Sequence, residues 1–251
     1  MRHGRCPRPG GGRGEALTIS EYAPDRREPV HSGAMAPFLD ALEPDTRDEL
    51  RGIAVRRTWT ARSTIFHEGD RADRVLILEQ GMAKAVVWSE EGTETILALR
   101  GPGEILGELA AVDGGTRSAS VVAVEAVCAL TLSLDQFHDF LESNPKASLV
   151  LLSTIAARVR DASRRQAEFG TFDASVRLAR LLVELADAYG TDGQDGLRVR
   201  LLSQEELASL CGTSRDSVAR ALRQLRDAGI IETGRRAVTI GDLEALRVWE
   251  P

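Results

Sequence analysis

Between Val55 and Leu134 the chain is broken by turn residues roughly every ten positions, and this rhythm constrains the fold more than any other feature. The turns are Gly69-Asp70, Gln80-Gly81, Glu91-Gly92, Gly101-Pro102-Gly103 and Gly114-Gly115. The runs between them are short and rich in Val, Ile, Leu and Thr. Such runs suit strands, because branched side chains pack well on a pleated surface. Many short strands at even spacing predict an antiparallel sandwich or jelly roll.

The rhythm stops at Asn144-Pro145. Proline loses no hydrogen bond in the first turn of a helix, so this pair marks a helix start. Leu152, Ile155, Val159, Ala162, Gln166 and Phe169 then recur at alternating spacings of three and four. That is an a/d seam of about two and a half heptads. A helix packed only on its own sheet would also show such a stripe, but the expectation is a dimerisation helix. Beyond it, Val176 to Tyr189 is amphipathic. Ser203 with Glu206 forms a capping box, and Thr213 or Ser214 caps a helix running to about Ala228-Gly229. Leu210-Cys211-Gly212 between them is the tight turn of a helix-turn-helix. Ile230-Ile231 and Val238-Thr239-Ile240 flank Thr233 to Arg236 and predict a two-stranded wing, with residues 171–235 otherwise helical.

Composition excludes several classes. At 251 residues the chain holds one large or two small domains. Its apolar runs, such as Val75 to Leu78, fall far short of the ~20 residues a bilayer needs, so no membrane partner is expected. Residues 1–34 are rich in Arg, Gly and Pro and read as a disordered tail, not a secretory signal. An upstream start is an equal account of them, with Met35 opening the ordinary sequence. Cys6, Cys128 and Cys211 show no metal or disulfide spacing, and the last two read as buried thiols. The four histidines are scattered. A metal-dependent enzyme is not expected, no cofactor is required, and the cytoplasm is the expected compartment.

Two constellations carry chemistry. In the first, Gly107-Glu108-Leu109 is followed by Arg117-Ser118. Gly107 lets backbone approach a ligand, and consecutive amides in a turn bind anions. Glu108 can accept from a sugar hydroxyl. Arg117 offers a planar fork to phosphate oxygens, with the Ser118 hydroxyl beside it. Ala110 to Gly115 reads as a short loop joining them. In the second, the formal net charge of −6 hides a local basic stripe. Arg215 to Arg226 holds four arginines opposed only by Asp216. Helix residues Arg215, Asp216, Ala219 and Arg220 stand where a recognition helix meets base edges. Ser203 and Ser214, at the helix starts, are placed for phosphates.

These motifs resemble the CRP/FNR family of bacterial transcription regulators, over about residues 37–240. The resemblance rests on Gly107 to Ala119, on Asn144-Pro145, and on the helix-turn-helix from Ser203 to Arg220. It implies an α+β fold: a cyclic-nucleotide-binding β-roll at 35–143, a dimerisation helix at 144–170, and a winged helix-turn-helix at 171–251. It implies Glu108 on a ribose, Arg117 and Ser118 on a cyclic phosphate, and Arg215, Asp216 and Arg220 on bases. The implied partners are a near-palindromic DNA operator, a second copy of the chain, and RNA polymerase, with cAMP as allosteric ligand. The chain differs from the family's cAMP responders at two places. Ala162-Ser163 stands where they have adjacent hydroxyls against adenine, so Ser163 alone is expected at the ligand, and Asp216 stands where a Glu is usual. Cys6 alone cannot supply the cysteine cluster of the family's iron–sulfur sensors. Two alternatives stay open: a family member that binds DNA constitutively or answers another ligand, and a nucleotide-binding regulatory module of an enzyme.

Overall fold

The structure is a computed structural model that describes residues 36–251 apart from 194, 201, 235 and 236. The expected tail, with Cys6, His3 and His31, lies outside the described residues, as do Arg235 and Arg236 of the wing turn.

Two short helices open the described chain, α1 (Phe38–Ala41) and α2 (Pro44–Ile53). Eight strands follow: β1 (Val55–Trp59), β2 (Thr64–Phe66), β3 (Arg74–Gln80), β4 (Ala83–Trp88), β5 (Glu94–Arg100), β6 (Ile105–Leu106), β7 (Ser120–Ala123) and β8 (Val127–Ser133). They make two antiparallel four-stranded sheets, ordered β1-β8-β3-β6 and β2-β7-β4-β5. Ile65, Phe66, Leu76, Leu78, Val121 and Ala129 fill the space between the sheets. Val75 and Ile77 point the other way, into a second core with Phe38, Leu50, Phe137 and Leu151 from the helices. Both faces of β3 are therefore covered, which is why Val75 to Leu78 is apolar without alternation.

The expected loop 110–115 is helical over residues 110–113, and only Gly114 and Gly115 lie outside the helix. Glu108 to Asp113 form a short helix, α3, bounded by Gly107 and Gly114 in the left-handed region. A helix also precedes Asn144-Pro145. This α4 (Leu134–Ser143) starts at a capping box made by Ser133 and Gln136, and Asn144 ends it. The long helix α5 (Pro145–Thr171) then starts with Pro145 in its first turn. Its seam divides. Leu152 and Val159, with Leu149, are exposed. Ile155 packs on the core beneath α5. Phe169 turns toward Gly212, where an added Cβ would lie 2.8 Å from its ring.

The last portion holds α6 (Ala174–Tyr189), β9 (Thr191–Gly193), β10 (Gly196–Arg200), α7 (Gln204–Leu210), α8 (Arg215–Asp227), β11 (Ile231–Gly234), β12 (Ala237–Ile240) and α9 (Leu243–Arg247). The wing is half of a four-stranded sheet, ordered β11-β12-β10-β9, so residues 171–235 are not all helical. In the missed pair β9 is three polar or small residues, and β10 alternates Leu197-Arg198-Val199-Arg200 over too short a window to stand out. Of the two described cysteines, Cys211 is buried, and burial pushes its thiol up to about 12. Cys128 is only half-buried, 3.9 Å from the Glu79 carboxylate.

Helices α6, α7 and α8 share one core with β4 and β5, through Val86, Ile96 and Leu99. Polar contacts lock the same boundary. The buried Lys84 ammonium lies 2.5 Å from Glu94 and 2.9 Å from Glu206. The Ile96 amide donates to Ser209 Oγ at 2.8 Å. Glu206 is also the capping-box carboxylate of α7, so one side chain caps the helix and docks it.

Lys84→Met should cost ~1–3 kcal/mol, because Glu94 and Glu206 keep their charges and lose their partner. Burial alone would raise Glu206, yet Lys84 and the Ser203 amide hold it below its ordinary 4.5. Burial alone would lower Lys84, yet the two glutamates hold it above its ordinary 10.5. The contribution is therefore full between those values, and is lost as pH falls below 4.5 or climbs beyond 10.5. Urea unfolding of parent and variant at pH 7 and pH 3 checks this: the difference should shrink at pH 3.

Candidate functional site

A cavity of about 280 Å³ opens between β5, the β6–α3 turn, the segment leading into β7, and one face of α5. This is near the small end of ligand pockets. Of the six residues expected at a ligand, five line it: Gly107, Glu108, Leu109, Arg117 and Ser118. Ser163 does not. It is exposed on α5, beside the lining residue Ala162.

Arg117 anchors one end. Its side chain is 3 % exposed and lies over the Phe66 ring, 3.8 Å from the centroid. Its Nη1 donates to the Gly107 carbonyl at 2.9 Å, and its Nη2 donates to the Arg74 carbonyl at 2.6 Å and faces Asp73 at 3.2 Å. Burial lowers its pKa, but a guanidinium remains charged. Gly107 has φ +81, and a Cβ there would strike the Arg117 guanidinium. Glycine is thus required twice, for the left-handed turn and for passage of the arginine. Ser118 sits beside it, exposed at the cavity. Asp73 is shared with Arg74, so two guanidiniums face one half-exposed carboxylate and leave net positive charge here, suited to a small anion.

Glu108 is 4 % exposed and lies next along the wall. Arg158 of α5 neutralises it, with Nη1 2.5 Å from Oε1, and donates its Nη2 to the Ile105 carbonyl at 2.8 Å. A carboxylate so placed can accept from a hydroxyl while Arg158 holds it in position. The far end is made by Asp161, Ala162 and Arg165 of α5 against Leu97 and Ala98 of β5. Sequence reasoning missed Arg158, Asp161 and Arg165. The available signal was their spacing: with Ala162 they fall at i, i+3, i+4 and i+7 of one helical face.

In the helix-turn-helix, Ser203 caps α7 and Ser214 caps α8, accepting from the Ser217 amide. The Ser203 hydroxyl both accepts from the Glu206 amide and donates to the Glu206 carboxylate. A phosphate contact there would draw on the cap itself. Gly212 makes the turn between α7 and α8 with φ +56. Arg177 of α6 braces that turn, donating to the Cys211 carbonyl at 2.8 Å. Val218, Ala221, Leu222 and Leu225 bury one face of α8. Arg215, Asp216 and Arg220 are exposed and Ala219 is half-buried. Arg215 pairs with exposed Glu205 at 3.2 Å, a contact worth little in water. Arg226 instead reaches Thr233 of β11, joining the helix to the wing strand.

Comparison with known proteins places both regions. The cyclic nucleotide-binding domain family matches residues 56–144, and the Crp-like helix-turn-helix domain family matches residues 176–249. A CRP-like cAMP-activated global transcriptional regulator of Mycobacterium tuberculosis is 34% identical over 214 residues, 85% of this chain and 96% of that protein. A cyclic AMP receptor protein of Thermus thermophilus is 30% identical, over 84% of this chain and 95% of that protein. Among solved structures, a CRP-family transcriptional regulator from Thermus thermophilus is 27% identical with a TM-score of 0.65, covering 76% of this chain and 94% of that one. Among the described residues no group of His, Cys, Asp and Glu could hold a metal, and no helix is long and apolar enough to cross a membrane.

Proposed function

The chain belongs to the CRP family of transcription regulators, and we propose that it works as a homodimer whose DNA binding is controlled by cAMP in the cavity beside Arg117. It is a DNA-binding regulator and not an enzyme. The observation that carries the ligand reading is the buried Arg117 guanidinium at a cavity wall, with Ser118 beside it and Glu108 next along. The phosphate then lies at Arg117 and Ser118, the ribose at Glu108, and the base against α5. The relatives named for cAMP support adenine. So does Asp161, whose carboxylate can accept from the adenine amine where Ala162 cannot.

The homodimer is supported by the exposed apolar stripe Leu149, Leu152 and Val159 on α5, with Leu109 and Val112 on α3 nearby in sequence to the site. Surface of this kind is costly unless covered. Pairing through α5 would offer Ser163 to the partner's pocket, as the resemblance implies. The operator is then a near-palindrome with half-sites about one helical turn apart, read by Arg215, Asp216, Ala219 and Arg220. Ser203 and Ser214 would meet backbone phosphates. RNA polymerase is the further partner of this function, and the cytoplasm its compartment.

A second reading is favoured by one feature. The base-reading residues of α8 are exposed while α7 is already locked to β4 and β5. With Ala162 at the base end, a chain so arranged would bind DNA substantially without ligand.

Three outcomes test these readings. Arg117→Ala should abolish cAMP binding in a calorimetric titration, and should also lower stability by ~1–3 kcal/mol through the carbonyls it leaves unmet. Undiminished affinity would move the ligand elsewhere. Arg220→Ala should weaken operator binding by ~1–3 kcal/mol and relax preference at one base pair per half-site. A uniform loss on all sequences would make Arg220 a phosphate contact. Operator affinity at fixed salt should rise with saturating cAMP by the low end of the usual ~5–150-fold, and DNA should raise cAMP affinity by the same factor. Equal affinities alongside measured cAMP binding would leave the constitutive reading.

A further inference from the structure

The carboxylate assigned to the ribose is the first member of a chain of charged and polar groups that ends on the DNA-reading portion. Glu108 meets Arg158 at 2.5 Å. The second nitrogen of Arg158 lies 3.9 Å from Glu104 Oε1, in the turn between β5 and β6. Arg100 Nε approaches the same oxygen at 3.5 Å. The other oxygen of Glu104 accepts from the Gly101 amide at 2.6 Å and from the Tyr189 hydroxyl at 2.8 Å. Tyr189 is the last residue of α6. Its ring lies on Gly101 so closely that a Cβ there would collide with it.

Burial, then the Glu104 charge, push the Tyr189 hydroxyl well above its ordinary range, so it remains a donor. Arg158 stands between two carboxylates that compete for it. Each donor that Glu104 already has weakens its pull on Arg158. The Tyr189 hydroxyl supplies one such donor, which leaves Arg158 on Glu108 and keeps Glu108 fixed at the cavity wall.

We infer that Tyr189 is a positioning residue of the nucleotide site: by holding Glu104 it keeps Arg158 on Glu108, and so sets the carboxylate that takes the ribose 2′-hydroxyl. This rests on the assignment of the cavity to a cyclic nucleotide. It adds that a residue of α6, outside the segment matched to the nucleotide-binding family, tunes recognition of the sugar. Tyr189 touches no ligand, so its effect must fall on the sugar and spare the phosphate.

The test compares cAMP with 2′-deoxy-cAMP, and cGMP with its 2′-deoxy form, by calorimetric titration of the full-length protein. The parent should favour the ribose form by ~10-fold or more, as expected for a hydrogen bond to a buried carboxylate. Tyr189→Phe keeps the ring on Gly101 and removes the hydroxyl. It should cut that preference ~3–5-fold, with the deoxy affinity unchanged. Glu104→Gln, which removes the competing charge but not the side chain, should also change the preference without changing the deoxy affinity. Lys84→Met, which loosens the same domain boundary away from this chain of groups, should leave the preference as in the parent. Equal losses for ribose and deoxy forms in Tyr189→Phe, or no change at all, would overturn the inference as a structural effect. A parent that binds cAMP but does not distinguish its deoxy form would overturn it while leaving the nucleotide assignment standing. A parent that binds none of the four would bring down the nucleotide assignment itself.

Discussion

A carboxylate that is 4 % exposed is costly to bury without a cation against it, and for Glu108 that cation arrives fifty residues later in the chain. Much of the site's geometry follows from this pair. Arg158 can reach Glu108 only if α5 crosses the open side of the second sheet, and its second nitrogen then fastens to the Ile105 carbonyl just before the Gly107 turn. The long helix is thereby tied to the ligand cavity as well as to the core beneath it. The faces of the helix divide accordingly. Ala147, Leu151 and Thr154 go into the protein, Arg158 and Ala162 line the cavity, and Leu149, Leu152 and Val159 remain outside.

Gly107 and Arg117 are a second mutual requirement. The arginine passes through space that any side chain at 107 would occupy, and it holds the Gly107 carbonyl once there. That dependence was readable as a motif because both partners sit on one local segment. The strand rhythm was readable for a similar reason. Each turn and the run after it are local, and the turn glycines at 69, 81, 92 and 103 do adopt positive φ. The capping box at Ser203 and the cap at Ser214 are local too, and both stand as read.

Contacts between distant segments were not legible in the same way. Nothing in the surroundings of Lys84 announces a partner 122 residues away, nor does Tyr189 announce Glu104. Helix α3 escaped notice because six residues between two glycines give too short a window for a 3.6-residue period. The apparent seam on α5 mixed four roles, since a spacing of three and four reports a helical stripe without saying what covers it. Phe169 shows the difference: it keeps the spacing yet packs against the turn at Gly212.

Strand β5 carries the closest link between the two ends of the molecule. Leu97 and Ala98 line the ligand cavity, while the amide of Ile96, one residue earlier, donates to Ser209 of α7. On the neighbouring strand, Ala85 lines the cavity and Lys84 and Val86, on either side of it, face α7. On β4 successive residues point to opposite faces, so there the sheet is one residue thick between the cavity and the first helix of the helix-turn-helix. Packed interiors deform little. A group pressing on Ala85 and Ala98 from one side therefore bears on the docking of α7 from the other. Because α7 meets α8 through the braced turn at Gly212, any change in that docking is a change in where Arg220 stands. If a ligand controls DNA binding as proposed, it does so only by its differential affinity for two dockings of α7. On that reading the difference would be set at the few residues of β4 and β5 that line the cavity or pack on α7.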